Sequence, residues 1–262
     1  MKQRIITAVI AAAAFLPVVL YGGWPFIILA YVMAIIGLIE ALKMKKIAPA
    51  SMPGLLSILL LCIVLMPERL TNTIEQLGYD KLQLVALFVL LLLAYTVISK
   101  NRFHFEEAGF TVLAAMYVGF GFYYFIETRE AGAVFVFFAL LITWATDSGA
   151  YFVGRSLGKR KLWPEISPKK TVEGSIGGVV IAIVVALIMA LLTDMNIPLP
   201  KLLIATAVLS VFGQLGDLAE SALKRHYGVK DSGTLLPGHG GILDRTDSWL
   251  FVFPLVHLLH LV

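Results

Sequence analysis

Residues 174–193, GSIGGVVIAIVVALIMALLT, decide the fold. The stretch carries no charge, and its apolar residues form one run instead of an alternating or amphipathic pattern. A run of about 18 or more apolar residues reads as a helix crossing a bilayer, because hydrocarbon offers the backbone no outside hydrogen-bond partner. Similar runs lie outward on both sides, at roughly 5–22, 24–42, 52–67, 82–99, 107–126, 132–154, 201–224 and 245–262. The 262-residue chain is 59% hydrophobic, with a mean hydropathy of +0.89. Soluble domains carry a smaller apolar fraction. The reading is an all-α, polytopic integral membrane protein with about nine transmembrane helices and no room for a separate soluble domain.

The basic start Met1-Lys2-Gln3-Arg4 and the Ala-rich run after it have signal-peptide character. They continue through Trp24-Pro25 into a second span without a small-residue cleavage site, so the first helix is expected to be retained. The single cysteine, Cys62, sits mid-span and reads as packing.

Basic residues set the expected sidedness. With the N-terminus in the cytoplasm, Lys2, Arg4, Lys43, Lys45, Lys46, Lys100, Arg102, the run from Arg155 to Lys170, and Lys224 to Arg245 all fall inside. Only Arg69, Lys81, Arg129 and Lys201 fall outside, as the positive-inside rule requires. An odd number of spans would leave the C-terminus outside. The first half is chemically quiet. Glu40, His104, Glu106 and Glu107 are read as solvated helix ends, and His257 and His260 as interfacial packing. The expected organisation is an N-terminal membrane scaffold, residues 1–130, and a catalytic half, residues 131–262.

Acids inside apolar runs are expensive and mark functional sites. Asp147 lies eight residues before Arg155, about 12 Å from the cytoplasmic end of its helix. Asp217 lies seven residues before Lys224, about 10 Å deep. Asp247 lies near the start of the last run. Ser210, Gln214, Asp217, Ser221 and Lys224 fall on one helical face, flanked by Glu220. Asp244, Asp247 and Ser248 share a face of the last helix, and Thr143, Asp147 and Tyr151 one of the sixth. Clustered carboxylates repel, and a divalent cation relieves this; Mg²⁺ takes one or two carboxylates plus water and phosphate oxygens. The competing reading is a buried ion pair of Asp217 with Lys224 or Arg245. The sixth, eighth and ninth spans are expected to line a polar cavity closed towards the outside.

Two basic loops add anion chemistry. In SPKKTVEGSIGG, Ser167 and Pro168 suit the start of a helix, with Lys169 and Lys170 in its first turn; Thr171 with Gly174 allows a second start nearby. Such a terminus with two lysines would hold a triphosphate, or equally anchor the loop to anionic lipid head groups. In LLPGHGGILDRTD the glycines can turn backbone N–H groups toward a phosphate, with His239 as a donor or a loop-fixing group.

The block Ser221-x-Leu223-Lys224-Arg225, Lys230-Asp231 and Pro237-x-His239-Gly240-Gly241-x-x-Asp244-Arg245-x-Asp247 resembles the signature of the phosphatidate cytidylyltransferases, or CDP-diacylglycerol synthases. Ser167-Pro168-Lys169-Lys170-Thr171-x-Glu173-Gly174 and the region of Asp147 resemble that family as well. The resemblance implies that CTP and phosphatidate give CDP-diacylglycerol and pyrophosphate. It also implies Mg²⁺, with room for a second cation, a homodimer, and a bacterial-type inner membrane location with the site facing the cytoplasm. No nucleic acid partner is expected. Asp217, Ser221, Lys224, Asp244 and Asp247 are the expected catalytic residues. Asp217, Asp244 and Asp247, with Asp147 beside them, are the expected metal ligands. Lys169, Lys170, Arg225, Lys230, Asp231, His239, Gly240, Gly241 and Arg245 are the expected substrate contacts. The rival classes are an ion-coupled transporter, whose sites lie near the bilayer midplane between repeats, a CTP-dependent lipid kinase, which would release CDP, and a non-enzymatic scaffold.

Overall fold

Lys2–Tyr21 (α1) and Gly23–Met44 (α2) are joined through Gly22 and Gly23, at φ 71° and 58°. Both angles are left-handed, a region that a Cβ penalises, so the glycine pair permits the abrupt reversal. The molecule is described by a computed structural model over residues 2–76 and 78–262. It forms two compact units, Met1–Glu127 with Asp231–Leu243, and Thr128–Lys230 with Asp244–Val262.

After α1 and α2, the first unit contains Met52–Val64 (α3), Glu68–Glu75 (α4), Lys81–Ile98 (α5) and most of Phe105–Ala131 (α6). Local chemistry sets the starts. The Ser51 side chain caps α3, and Asp80 caps α5 through a reciprocal pair with Gln83. The buried face of α2 is built on Phe26, Ala30, Ala34, Leu38 and Ala41, at helical spacing. Phe125 of α6 meets Phe26 with ring centroids 4.6 Å apart, and Phe15 and Phe122 at 6.2 Å.

The second unit begins with Ala133–Leu157 (α7) and a hairpin of Lys161–Trp163 (β1) and Ser167–Thr171 (β2), paired antiparallel with Lys161 opposite Thr171 and Trp163 opposite Ser167. Val172–Leu192 (α8) and Leu199–His226 (α9) follow, then Leu243–Thr246 (α10), which straddles the two units, and Trp249–Leu258 (α11). The glycines of the opening stretch let α8 lie directly on α7. A Cβ on Gly177 would stand 2.5 Å from Val153 Cβ, and one on Gly178 2.7 Å from the Thr146 carbonyl oxygen. Small residues at the seam are the usual means of bringing two membrane helices into backbone contact.

The expectation of about nine spans is met in part. Among the described residues, six helices are long and apolar enough to cross a membrane: α2, α5, α6, α7, α8 and α9. The 20-residue α1 is apolar over Ile6–Tyr21, and α3 is a shorter apolar helix. At 13 and 10 residues, α3 and α11 reach only about 20 and 15 Å, against a hydrocarbon core of about 30 Å. The last run is not one helix, because the chain breaks between α10 and α11 at Asp247-Ser248. The helical class otherwise stands, with one short hairpin added.

Candidate active site

A cavity of about 410 Å³ opens in the second unit. Its wall combines Asp147, Tyr151 and Arg155 of α7, Lys169 and Lys170 of β2, Thr171 and Ser175 at the head of α8, and Gln214 and Asp217 of α9. Each element is fixed locally. Thr171 caps α8, its hydroxyl accepting from Gly174 N–H at 3.1 Å. Glu173 accepts from the Lys159 and Arg160 N–H groups at 3.0 and 3.2 Å, which holds the turn leaving α7. Arg225 Nε donates to the Ile166 carbonyl at 3.3 Å, tying the tip of the hairpin to the end of α9.

The hairpin corrects one expectation. Lys169 and Lys170 lie on a strand, not in the first turn of a helix, and α8 starts at the alternative position, after Thr171. Pro168 fits an edge strand because it offers no N–H to the ladder, and pairing with β1 satisfies the backbone that a helix would otherwise have used.

The polar stripe of α9 is present as expected. Thr146 donates to Ser210 at 2.8 Å, and Gln214 Nε2 to the Ser175 carbonyl at 3.3 Å. Ser221 donates to Asp217 Oδ1 at 3.3 Å, while Lys170 Nζ lies 2.6 Å from Asp217 Oδ2. Asp217 is therefore ion-paired, but with a lysine of the hairpin, not with Lys224 or Arg245. Lys224 instead sits between two other acids, donating to Asp244 Oδ1 at 2.6 Å and pairing with the buried Glu220 one turn earlier. Asp247 accepts from the Ser248 N–H at 2.7 Å. The break that carries Asp247 lies directly on α9, since a Cβ on Gly216 would stand 2.7 Å from the Asp247 carbonyl oxygen.

Carboxylate oxygens are donors suited to hard cations. Among the described residues no three His, Cys, Asp or Glu side chains form a ready-made metal site. Asp147 and Asp217 do line one cavity with two lysines. Two carboxylates with phosphate oxygens and water suit Mg²⁺, which does not require an all-protein cage. The cavity wall includes no residue of α11, so the expected contribution of the ninth span to the lining is replaced by the hairpin and α8.

The remaining site candidates are distributed as follows. Arg225, Lys230 and Arg245 are exposed in the second unit. Asp231 is exposed at the start of the loop that belongs to the first unit. In that loop Leu236 and Gly240 form a tight bridge, Leu236 N–H donating to Gly240 O at 2.9 Å and Gly240 at φ 88°. His239 is half-buried between them, and its Nδ1 is enclosed without a partner among the described residues. Gly241 is buried.

Two acids carry more structure than their sequence context suggested. Glu220, noted only as flanking the stripe, is 1% exposed. Glu40, read as a solvated helix end, is 5% exposed. Both are acids inside apolar helices, the signal that picked out Asp147 and Asp217.

The cytidylyltransferase family model matches residues 2–262. The chain is 56% identical over 262 residues to a phosphatidate cytidylyltransferase of Bacillus subtilis strain 168, covering 99% of this chain and 97% of that one. It is 50% identical over 259 residues to the phosphatidate cytidylyltransferase of Staphylococcus saprophyticus, covering 99% and 98%. The corresponding Staphylococcus haemolyticus enzyme is 48% identical over 259 residues, with the same coverage. The chain belongs to the cytidylyltransferase family.

Proposed function

We propose that this membrane protein is a phosphatidate cytidylyltransferase that joins CTP to phosphatidate in the cavity between α7, the hairpin, α8 and α9. It makes CDP-diacylglycerol and pyrophosphate for phospholipid biosynthesis. The observation that carries the placement is the meeting of Lys169 and Lys170 with Asp147 and Asp217 around one cavity.

In this reading a phosphate oxygen of phosphatidate attacks the α-phosphorus of CTP, and the bond to the bridging oxygen of pyrophosphate breaks. The nucleophile is already an anion at neutral pH, so no strong base is needed, and positioning with charge neutralisation dominates. Lys169 and Lys170 hold triphosphate oxygens and offset the charge that builds on the leaving pyrophosphate. On the signature resemblance, Arg225 and Arg245 are assigned to phosphate oxygens, and Lys230, Asp231, His239, Gly240 and Gly241 to further substrate contacts. Lys224 orients Asp244, and Ser221 orients Asp217. Asp217, Asp244 and Asp247, with Asp147, would hold Mg²⁺ and any second cation. Such a cation, when bound, orients phosphate oxygens and screens their charge.

The site is proposed to face the cytoplasm, where CTP is found, and to lie in the cytoplasmic membrane of a bacterial-type cell. Residues 1–130 would serve as scaffold and 131–262 as the catalytic half, in a homodimer. Purified protein given labelled CTP and phosphatidate should yield lipid-linked cytidine and free pyrophosphate only with Mg²⁺ present. Release of CDP with a newly phosphorylated lipid would instead identify a lipid kinase.

A further inference from the structure

Glu40 lies near the end of α2, and the reaction above makes no use of it. Its carboxyl oxygens accept three hydrogen bonds, all from one segment of the signature loop. Oε1 accepts from the Ile242 N–H at 3.0 Å; Oε2 accepts from the Leu243 N–H at 2.9 Å and the Ser232 hydroxyl at 3.0 Å. Two loop glycines exist to admit this carboxyl. A Cβ on Gly233 would stand 2.5 Å from Glu40 Oε1, and one on Gly241 2.5 Å from Glu40 Cδ, closer than side chains tolerate. A buried carboxyl is costly unless its oxygens are bonded, and the first N–H groups of a helical turn are unpaired unless something caps them. Glu40 and the turn that opens at Leu243 satisfy each other, across 203 positions of sequence.

We infer that Glu40 is a positioning residue for catalysis. It fixes residues 232–243, which include His239, Gly240 and Gly241, and so fixes the turn from which the chain enters Asp244. The inference rests on the reading that residues 237–247 belong to the active site.

The test uses the full chain in lipid nanodiscs. Glu40→Gln keeps the size but turns one acceptor into a donor that faces a backbone N–H. Turnover at saturating CTP and phosphatidate should fall about tenfold or more, as displaced catalytic groups typically cause. Amide exchange at Ile242 and Leu243 should accelerate, while α7 and α9 keep their protection and the melting temperature holds. Gly233→Ala, at a position assigned no substrate contact, leaves Glu40 in place but pushes the loop off it. It should give the same pattern, and the double variant should be little worse than either single one, because both remove one contact. Wild-type turnover in Glu40→Gln overturns the inference, whatever the loop amides do. So does a uniform loss of protection across the helices, which would make Glu40 a general staple. If Glu40→Gln does not fold, wild-type turnover in Gly233→Ala overturns it alone. Asp244→Asn separates the two ideas: if it is inactive while Glu40→Gln is not, only the positioning role fails, and if it is fully active the site reading fails first.

Discussion

Asp217 and Lys170 stand 2.6 Å apart on the cavity wall, and substituting them separates a working site from a structural ion pair. A structural pair would make its loss a matter of stability. A catalytic one makes it a matter of charge in the transition state, where a removed electrostatic group commonly costs about 100-fold or more. Asp217→Asn is expected to lower turnover by about that factor with the protein still folded, since the amide keeps the shape and the Ser221 contact. Lys170→Ala should weaken CTP use more than phosphatidate use. Steady-state kinetics in both substrates, with Mg²⁺ saturating, decides the matter. Wild-type turnover in Asp217→Asn would remove it from the site, and an unchanged CTP KM and kcat in Lys170→Ala would return that lysine to a lipid-anchoring role. The stripe from Ser210 to Lys224 was legible because helical periodicity is local. The partner of Asp217 was not, because no sequence pattern reports which strand a folded hairpin lays across a helix. Glu40 was misread for a similar reason. Its bonds go to Ser232, 192 positions away, and only the fold shows them.

The hairpin between α7 and α8 is the element that reading by propensity placed wrongly. Ser167-Pro168 has the chemistry of a helix start, yet pairing with Lys161–Trp163 overrides it, and Thr171 takes the cap. That cap carries a load beyond its own helix. It sits at the joint where β2, with its lysines, turns into α8 against α7. Thr171→Ala is expected to cost about 1 kcal/mol of stability and to raise the CTP KM, because the fraying end of α8 lets β2 shift. Gly178→Val tests the other side of the joint. Its side chain would press on the Thr146 carbonyl, 2.7 Å from the Cβ position, so α7 and α8 must part. The expected loss is about 1–3 kcal/mol. Thermal unfolding in detergent measures both, and a Gly178→Val protein as stable as the wild type would mean the close approach is not needed. The ends of two expected spans were illegible at this same scale. Hydropathy alone extends α3 toward Pro67 and fuses α10 with α11, whereas Asp247-Ser248 interrupts the last run. Composition records an apolar stretch but not where its helix stops.

For the whole molecule, the membrane class was evident from composition, while sidedness rests on charge alone. The proposed reaction adds a physical demand. One substrate is a water-soluble triphosphate, and the other keeps its phosphate at the head-group level and its tails in hydrocarbon. The hairpin and the lysines beside it must then sit at the cytoplasmic surface. The 21 residues of α8 span about 31 Å, close to the hydrocarbon thickness of about 30 Å, so its two ends should meet opposite aqueous phases. Glu165, in the hairpin, and Asp194, beyond the far end of α8, are both exposed and suit cysteine labelling in a Cys62→Ala background. In right-side-out vesicles a membrane-impermeant maleimide should label Asp194→Cys at once, and Glu165→Cys only after permeabilisation. The reverse pattern would put the cavity outside, away from CTP, and defeat the cytidylyl-transfer geometry. Labelling of both from outside, with CTP-independent solute flux, would favour a continuous aqueous path and so the transporter class. The positive-inside bias argues for the first outcome, because basic residues next to spans stay with the cytoplasm as the chain inserts.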